Sequence, residues 1–94
     1  MAGKATPNID EMLRMAKEYI DGTGNPLDFE LDYGYELEKR WRAMEREDRE
    51  IAELIYECLV REGSDYAVDE STEKLRKRIG KQYRYVIGIR NEIR

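Results

Sequence analysis

The stretch YELEKRWRAMEREDREIAELIYECLVRE, residues 35–62, decides the fold, because it holds the longest helical periodicity in the chain and the only tryptophan. Leu37, Trp41 and Met44 recur at i, i+4 and i+7, and Ile51, Leu54, Ile55, Cys58 and Leu59 at i, i+3, i+4, i+7 and i+8. Each half carries one apolar stripe that must be buried against another element. The stripes do not run into one another, since four residues beyond Met44 stands Asp48. One straight helix of this length would span roughly 42 Å, whereas a chain of this size folds to a radius of gyration of roughly 12 Å. The stretch therefore reads as two helices broken near residues 46–48. Asp48 is the expected N-cap of the second, its carboxylate accepting an N–H of the next turn. Trp41, in the middle of the first stripe, is expected to be largely buried.

Toward the N-terminus, Pro26 opens PLDFELDYG, in which Leu27, Phe29, Leu31, Tyr33 and Tyr35 alternate with acids or Gly34. The period is that of a strand, but a lone strand would lack a partner here. The segment is read as a short helix or irregular turn that Gly34 ends or kinks. Further upstream, NIDEMLRMAKEYIDG reads as a helix with Asn8 as N-cap, a stripe of Ile9, Met12, Leu13, Ala16, Tyr19 and Ile20, and Gly22 in the left-handed terminal position. Residues 1–7 read as a loose polar leader. Toward the C-terminus, Gly63 closes the last turn, SDYAVDES is a polar loop, and Asp69 or Ser71 caps a helix from about residue 72 to 91, with Leu75, Ile79, Tyr83 or Gln82, Val86 and Ile87 inward. Gly80 and Gly88 either permit close helix approach or are tolerated at about 1 kcal/mol each. The fold class is all-α: a four-helix antiparallel bundle with a short extra helical segment after Pro26, forming one domain over residues 1–94.

Ninety-four residues, 40% charged and 40% hydrophobic, suffice for one small core of helices with one wet face each. The single cysteine, Cys58, falls on an apolar stripe, which favours a buried thiol and a reducing compartment. No apolar run approaches the roughly 20 residues of a membrane span, and MAGKATPN lacks the hydrophobic segment of a signal peptide. A cytoplasmic protein with no membrane partner is expected. The chain has no histidine, which removes histidine bases, histidine metal ligands and Ser–His or Cys–His pairs. Carboxylate pairs such as Glu47 with Glu50 and Glu50 with Glu53 read as solvated helix surface. No catalytic residue, metal site or cofactor is assigned, and an enzyme is not expected.

Charge is unevenly placed. Residues 1–38 carry three bases against nine acids, residues 39–63 six against seven, and residues 64–94 eight against five, giving −6, −1 and +3 of the net −4. The sharpest patch is PLDFELDYGYELE, in which Asp28, Glu30, Asp32, Glu36 and Glu38 occur with no base and with Phe29, Tyr33 and Tyr35 between them. Such a surface can steer and pair with a basic partner while tyrosines act as anchors; equally, the aromatics can simply plug the core. A second acidic surface, Asp48, Glu50, Glu53 and Glu57 with Asp65, Tyr66, Asp69 and Glu70, is interspersed with Arg46, Arg49 and Arg61, which can neutralise it. Lys74, Lys77, Arg78, Lys81 and Arg84 form a basic face on the last helix. That face offers an alternative function as a small nucleic-acid-binding or regulatory module. The acidic balance and a sequence pI near 5.0 argue against it; the face is expected instead to pair within the fold with the acidic first third of the chain, and no nucleic-acid partner is expected.

The opening NIDEMLRMAKEYIDGTGNPLDFELDYGYELEKR, with REDREIAELIYE and the closing EKLRKRI in the same order of helices, resembles the colicin D immunity protein family. The link over residues 63–70 is shorter than the resemblance leads one to expect. What the resemblance implies is a cytoplasmic immunity protein, monomer or weak dimer when free, that binds and inhibits a cognate basic ribonuclease-type toxin domain. Its acidic surface would stand in for the phosphates of the toxin's RNA substrate. The residues expected at that contact are Asp28, Glu30, Asp32, Tyr33, Tyr35, Glu36, Glu53, Glu57, Asp65, Tyr66 and Asp69.

Overall fold

The computed structural model describes residues 5–93, with side-chain placement through residue 92; the first four residues of the expected leader fall outside the described residues. Three α-helices carry the fold: α1 (Pro7–Asp21), α2 (Pro26–Ile55) and α3 (Thr72–Ile93). Between α2 and α3 the chain passes through a π-helical segment, Tyr56–Arg61, and a 3-10 turn, Ser64–Val68. Among the described residues there is no strand, and no helix is long and apolar enough to cross a membrane.

The four-helix antiparallel bundle is corrected to three helices, and the reason lies in α2. Asn25 caps it, accepting the N–H of Leu27 at 3.0 Å, with Pro26 in the first turn. The helix then runs straight through Gly34, so there is no separate short segment. Near Asp48 the expected break does occur, but it is a kink within one helix and not a loop. Asp48 alone leaves helical geometry, at φ −168° and ψ 97°, and its Oδ1 accepts the N–H of Ile51 at 3.2 Å. One extended residue turns the axis without separating the two arms. The radius of gyration is 12.6 Å and the longest extent 42 Å.

Helix α1 starts at Pro7, one residue before the expected Asn8 cap. Its free N-terminal groups are met from across the fold: the Glu47 carboxylate accepts the N–H of Asn8 at 3.1 Å, the N–H of Ile9 at 2.9 Å and the Asn8 side-chain amide at 2.7 Å. A carboxylate there also favours the positive end of the helix dipole. At the other end Gly22 has φ 75°, its N–H and that of Thr23 donating to Tyr19 and Glu18 carbonyls, a left-handed close that glycine adopts without steric cost. Ser71 caps α3, its hydroxyl accepting the N–H of Lys74 at 3.3 Å.

Ile9, Met12, Leu13, Ala16 and Tyr19 from α1, Phe29, Tyr33, Leu37, Met44, Ile51 and Ile55 from α2, Cys58 and Leu59 from the π segment, and Leu75, Ile79 and Val86 from α3 are buried together. Burial pushes the Cys58 thiol above its ordinary pKa, as expected of an unreactive core cysteine. Trp41 departs from expectation: it is only partly buried, edge-on to exposed Tyr56 with ring centres 6.1 Å apart. The two glycines of α3 differ. A Cβ on Gly80 would meet Ile20 of α1 at 3.9 Å, whereas one on Gly88 would meet nothing within 4 Å.

Gly34 lies mid-helix with room beside it, an added Cβ meeting only Val60 Cγ1 at 3.8 Å. Gly34→Ala should therefore stabilise the fold by about 0.5–1 kcal/mol, the helix-propensity difference. A rise in the urea midpoint at unchanged slope is the expected readout, and a fall would show that the helix needs glycine there.

Candidate partner-binding face on α2

The alternation over residues 27–37 acquires a meaning once the segment is helical. Phe29, Tyr33 and Leu37, four apart, form the inward stripe; Leu27, Leu31 and Tyr35, also four apart, point roughly the opposite way, since two residues turn a helix by about 200°. The outward three are 58%, 75% and 61% exposed. Three large apolar side chains on successive turns of one helix, wet in a chain with a well-formed core, mark an interaction surface better than a scattered exposed leucine does. Asp28 and Asp32 flank them and are exposed. Beyond Tyr35 the same side of α2 carries Lys39 and Arg42 and runs into a shallow groove bordered by Leu37, Glu38, Trp41, Arg42 and Tyr56.

The expected contact residues divide sharply. Asp28, Asp32 and Tyr35 come together on this outer face. Tyr33 does not: it is fully buried, its hydroxyl donating to the Met12 carbonyl at 2.9 Å, and burial raises its pKa. It belongs to the core, as does the inward side of its neighbours. Glu30 is half-buried and tied inside, accepting hydroxyl bonds from Tyr19 and Thr72, each at 2.8 Å. That carboxylate joins α2 to both other helices, and the bond to it adds to burial in raising the Tyr19 pKa. Glu36 pairs with Lys39 at 3.1 Å and Arg40 at 3.4 Å along its own helix.

The second acidic surface is largely neutralised within the chain. Glu53 pairs with Arg49 at 3.4 Å and Glu57 with Arg61 at 3.2 Å. Glu70 pairs with Arg78 at 2.7 Å, and the guanidinium holds its carboxyl below the usual range. That same guanidinium lies 3.8 Å over the ring of Tyr66, leaving Tyr66 half-buried. Asp65 on the 3-10 turn and Asp69 just after it remain exposed, as does Val68, which is 91% exposed. The Thr72 hydroxyl, at the start of α3 just after this corner, donates to Glu30 in the first turns of α2. On α3, Arg78 is thus withdrawn from the basic face, while Lys74, Lys77, Lys81 and Arg84 are exposed.

Leu27, Leu31 and Val68 were not among the expected contacts. The signal for the first two was present, because a period-2 apolar pattern on a helix cannot all face one way; it became legible only with the helix assigned. Among the described residues no cluster of three Cys, Asp or Glu side chains is placed to hold a metal ion. No protein-family model matches the chain, and neither a curated protein nor a solved structure is significantly similar to it.

Proposed function

We propose that this chain is a non-enzymatic binding protein that captures a basic protein domain on the outer face of α2, with the corner at Asp65, Val68 and Asp69 extending the contact. The observation that carries this reading is the exposure of Leu27, Leu31 and Tyr35 in register beside Asp28 and Asp32. Apolar side chains that can be desolvated supply anchors, and flanking carboxylates steer and orient a cationic partner. In the specific form implied by the resemblance to colicin D immunity proteins, the partner is a ribonuclease-type toxin domain and the binding protects the cell that makes it. The cationic face of α3, short of Arg78, is the weaker candidate surface.

The test is binding to a basic ribonuclease-type toxin domain, sought in the reading frame next to this chain's, measured with protection of cells expressing that domain. Leu31→Asp and Tyr35→Ala should each weaken binding by about 2 kcal/mol or roughly thirtyfold, chiefly by faster dissociation. Asp28→Asn with Asp32→Asn should instead slow association and flatten its salt dependence. Glu53→Gln and Glu57→Gln, already paired within their helix, should change little. If the four changes on α2 leave affinity and protection intact in a folded protein, the partner is held elsewhere and the proposal fails.

A further inference from the structure

The pairing expected between the basic face of α3 and the acidic first third of the chain does not form. Among the described residues no carboxylate lies within ion-pair distance of Lys74, Lys77, Lys81 or Arg84, and Arg78 turns back to Glu70. Lys77 and Arg84 instead border an open groove of about 340 Å³ between α3 and the end of α1, lined also by Ile20, Glu73, Arg76 and Gly80. Its size falls at the small end of sites that hold small organic ligands. Gly80 is buried, and a Cβ added there would meet Arg84 Nη1 at 3.4 Å and Ile20 Cγ2 at 3.9 Å, so an apolar surface and a guanidinium stand side by side. Arg76 is half-buried and held from α1: its Nε donates to the Tyr19 carbonyl at 2.9 Å, and its guanidinium lies 5.4 Å from the centre of the Tyr19 ring. Its Nη1 and Nη2 have no hydrogen-bond partner among the described residues. They form a two-pronged donor already fixed in place. Lys17 and Asp21, which flank Ile20 on α1, neutralise one another at 2.6 Å.

We infer that this groove binds the phosphate monoester of a small organic molecule. Its lining carries three cations, Arg76, Lys77 and Arg84, and one carboxylate, Glu73, a net of +2. A phosphate monoester at neutral pH carries about −1.5 to −2 and matches it; a single carboxylate or a phosphodiester carries one negative charge and leaves a cation uncompensated. A nucleic-acid strand fits less well, because it draws on cations strung along a track and on rings that stack its bases. No aromatic side chain lines this groove, and the net −4 of the chain opposes a polyanion. In the bound state the fork of Arg76 takes two phosphate oxygens, Lys77 and Arg84 meet the remaining charge, and the organic group lies on Ile20 and Gly80. The groove shares no residue with the outer face of α2, so this inference does not rest on capture of a basic partner there.

Amide shifts of the full chain titrated with glycerol 3-phosphate at low salt test this. The changes should saturate at one ligand per chain, centre on Ile20 and residues 73–84, and give a dissociation constant of about 1 mM or below. The chain has no histidine to titrate alongside the ligand. Affinity should therefore rise roughly fourfold between about pH 5.5 and about pH 7.5, as the monoester loses its second proton near pH 6. Dimethyl phosphate, singly charged throughout, should bind about tenfold more weakly and show no such rise. Lys77→Gln combined with Arg84→Gln, both exposed, should weaken binding roughly tenfold at an unchanged melting temperature. Arg76→Lys, which keeps the charge and loses the fork, should also weaken it. Shifts that do not saturate or that centre outside the groove, an affinity indifferent to pH, dimethyl phosphate bound as tightly as the monoester, or a double variant that binds like the parent would each overturn the inference. A short single-stranded RNA that bound more tightly than the monoester would overturn it in favour of a nucleic-acid surface.

Discussion

Tyr33→Ala should destabilise the fold by about 3–5 kcal/mol, the usual range for deleting a fully buried aromatic ring. Tyr33 is fully buried where α1 meets α2. Its ring packs on Phe29 with centres 4.4 Å apart, and Phe29 stacks in turn on Tyr19 at 4.4 Å, so the three rings tie α1 to α2. Its hydroxyl reaches the Met12 carbonyl of α1 at 2.9 Å. Truncation removes the ring, the hydrogen bond and a wall of the core at once, and the surrounding helices cannot close the gap without moving. At about 4–8 °C per kcal/mol for a domain of this size, the melting temperature should fall by at least about 12 °C. Tyr33→Phe keeps the ring and should lose only about 1 kcal/mol, the net value of one hydrogen bond. The pair separates two roles that the sequence leaves joined. Tyr33 should act on stability, and Tyr35, two residues on and exposed, on binding. A Tyr33→Ala protein that melted like the parent but bound its partner poorly would return Tyr33 to the surface.

The helices were legible where apolar spacing and local capping agreed. The α1 stripe, the glycine close at Gly22, the kink at Asp48 and the inward positions Leu75, Ile79 and Val86 all follow from contacts within a few residues of one another. What was not legible depends on tertiary partners. Asn8 looks like an N-cap by type, but it lies inside the first turn, where the Asp10 N–H already donates to the Thr6 carbonyl; the N–H groups of Asn8 and Ile9 themselves donate to Glu47, which is distant in sequence and cannot be found by local rules. Gly34 looks like a terminator, yet the flanking stripes hold α2 together across it; its propensity cost of about 1 kcal/mol is smaller than the burial of Tyr33 and Leu37 on either side. Trp41 lies on the expected stripe, but its outer edge meets only the edge-on ring of half-exposed Tyr56 among the described aromatic residues, which leaves it partly buried.

The candidate face was partly legible for a related reason. Residue types showed acids and aromatics in one short segment and could not say which turned outward. Helical geometry assigns them: Tyr33 goes in, Asp28, Asp32 and Tyr35 go out, and Leu27 and Leu31 join them. Ion pairing removed others. Glu36, Glu53 and Glu57 find Lys or Arg three or four residues away on their own helices, which spacing alone allowed, while the bonds that Tyr19 and Thr72 donate to Glu30 required the fold.

Gly63→Ala should lower stability by about 3 kcal/mol, through crowding and not through a lost contact. The chain reverses here, between the wide turns of Tyr56–Arg61 and the 3-10 turn of Ser64–Val68. The Gly63 N–H donates to the Val60 carbonyl at 3.3 Å, and its own carbonyl accepts the N–H of Tyr66 at 2.9 Å, so the backbone is held on both sides. A Cβ added at this point would lie 2.4 Å from the Leu59 carbonyl oxygen and 2.7 Å from Ile79 Cδ1. Real Cβ atoms do not approach backbone that closely. The Ile79 methyl could rotate aside only into a core where that side chain is fully buried, and Leu59, fully buried itself, fixes the carbonyl. The corner must therefore shift as a unit. A fall in melting temperature of roughly 12–24 °C is expected, opposite in sign to the gain at Gly34, where the same added methyl meets ordinary space. Because the shift carries Asp65, Val68 and Asp69 with it, partner binding measured well below the melt should weaken as well. A Gly63→Ala protein with unchanged melting temperature would show that the reversal has room for a side chain and that the corner is not fixed by this contact.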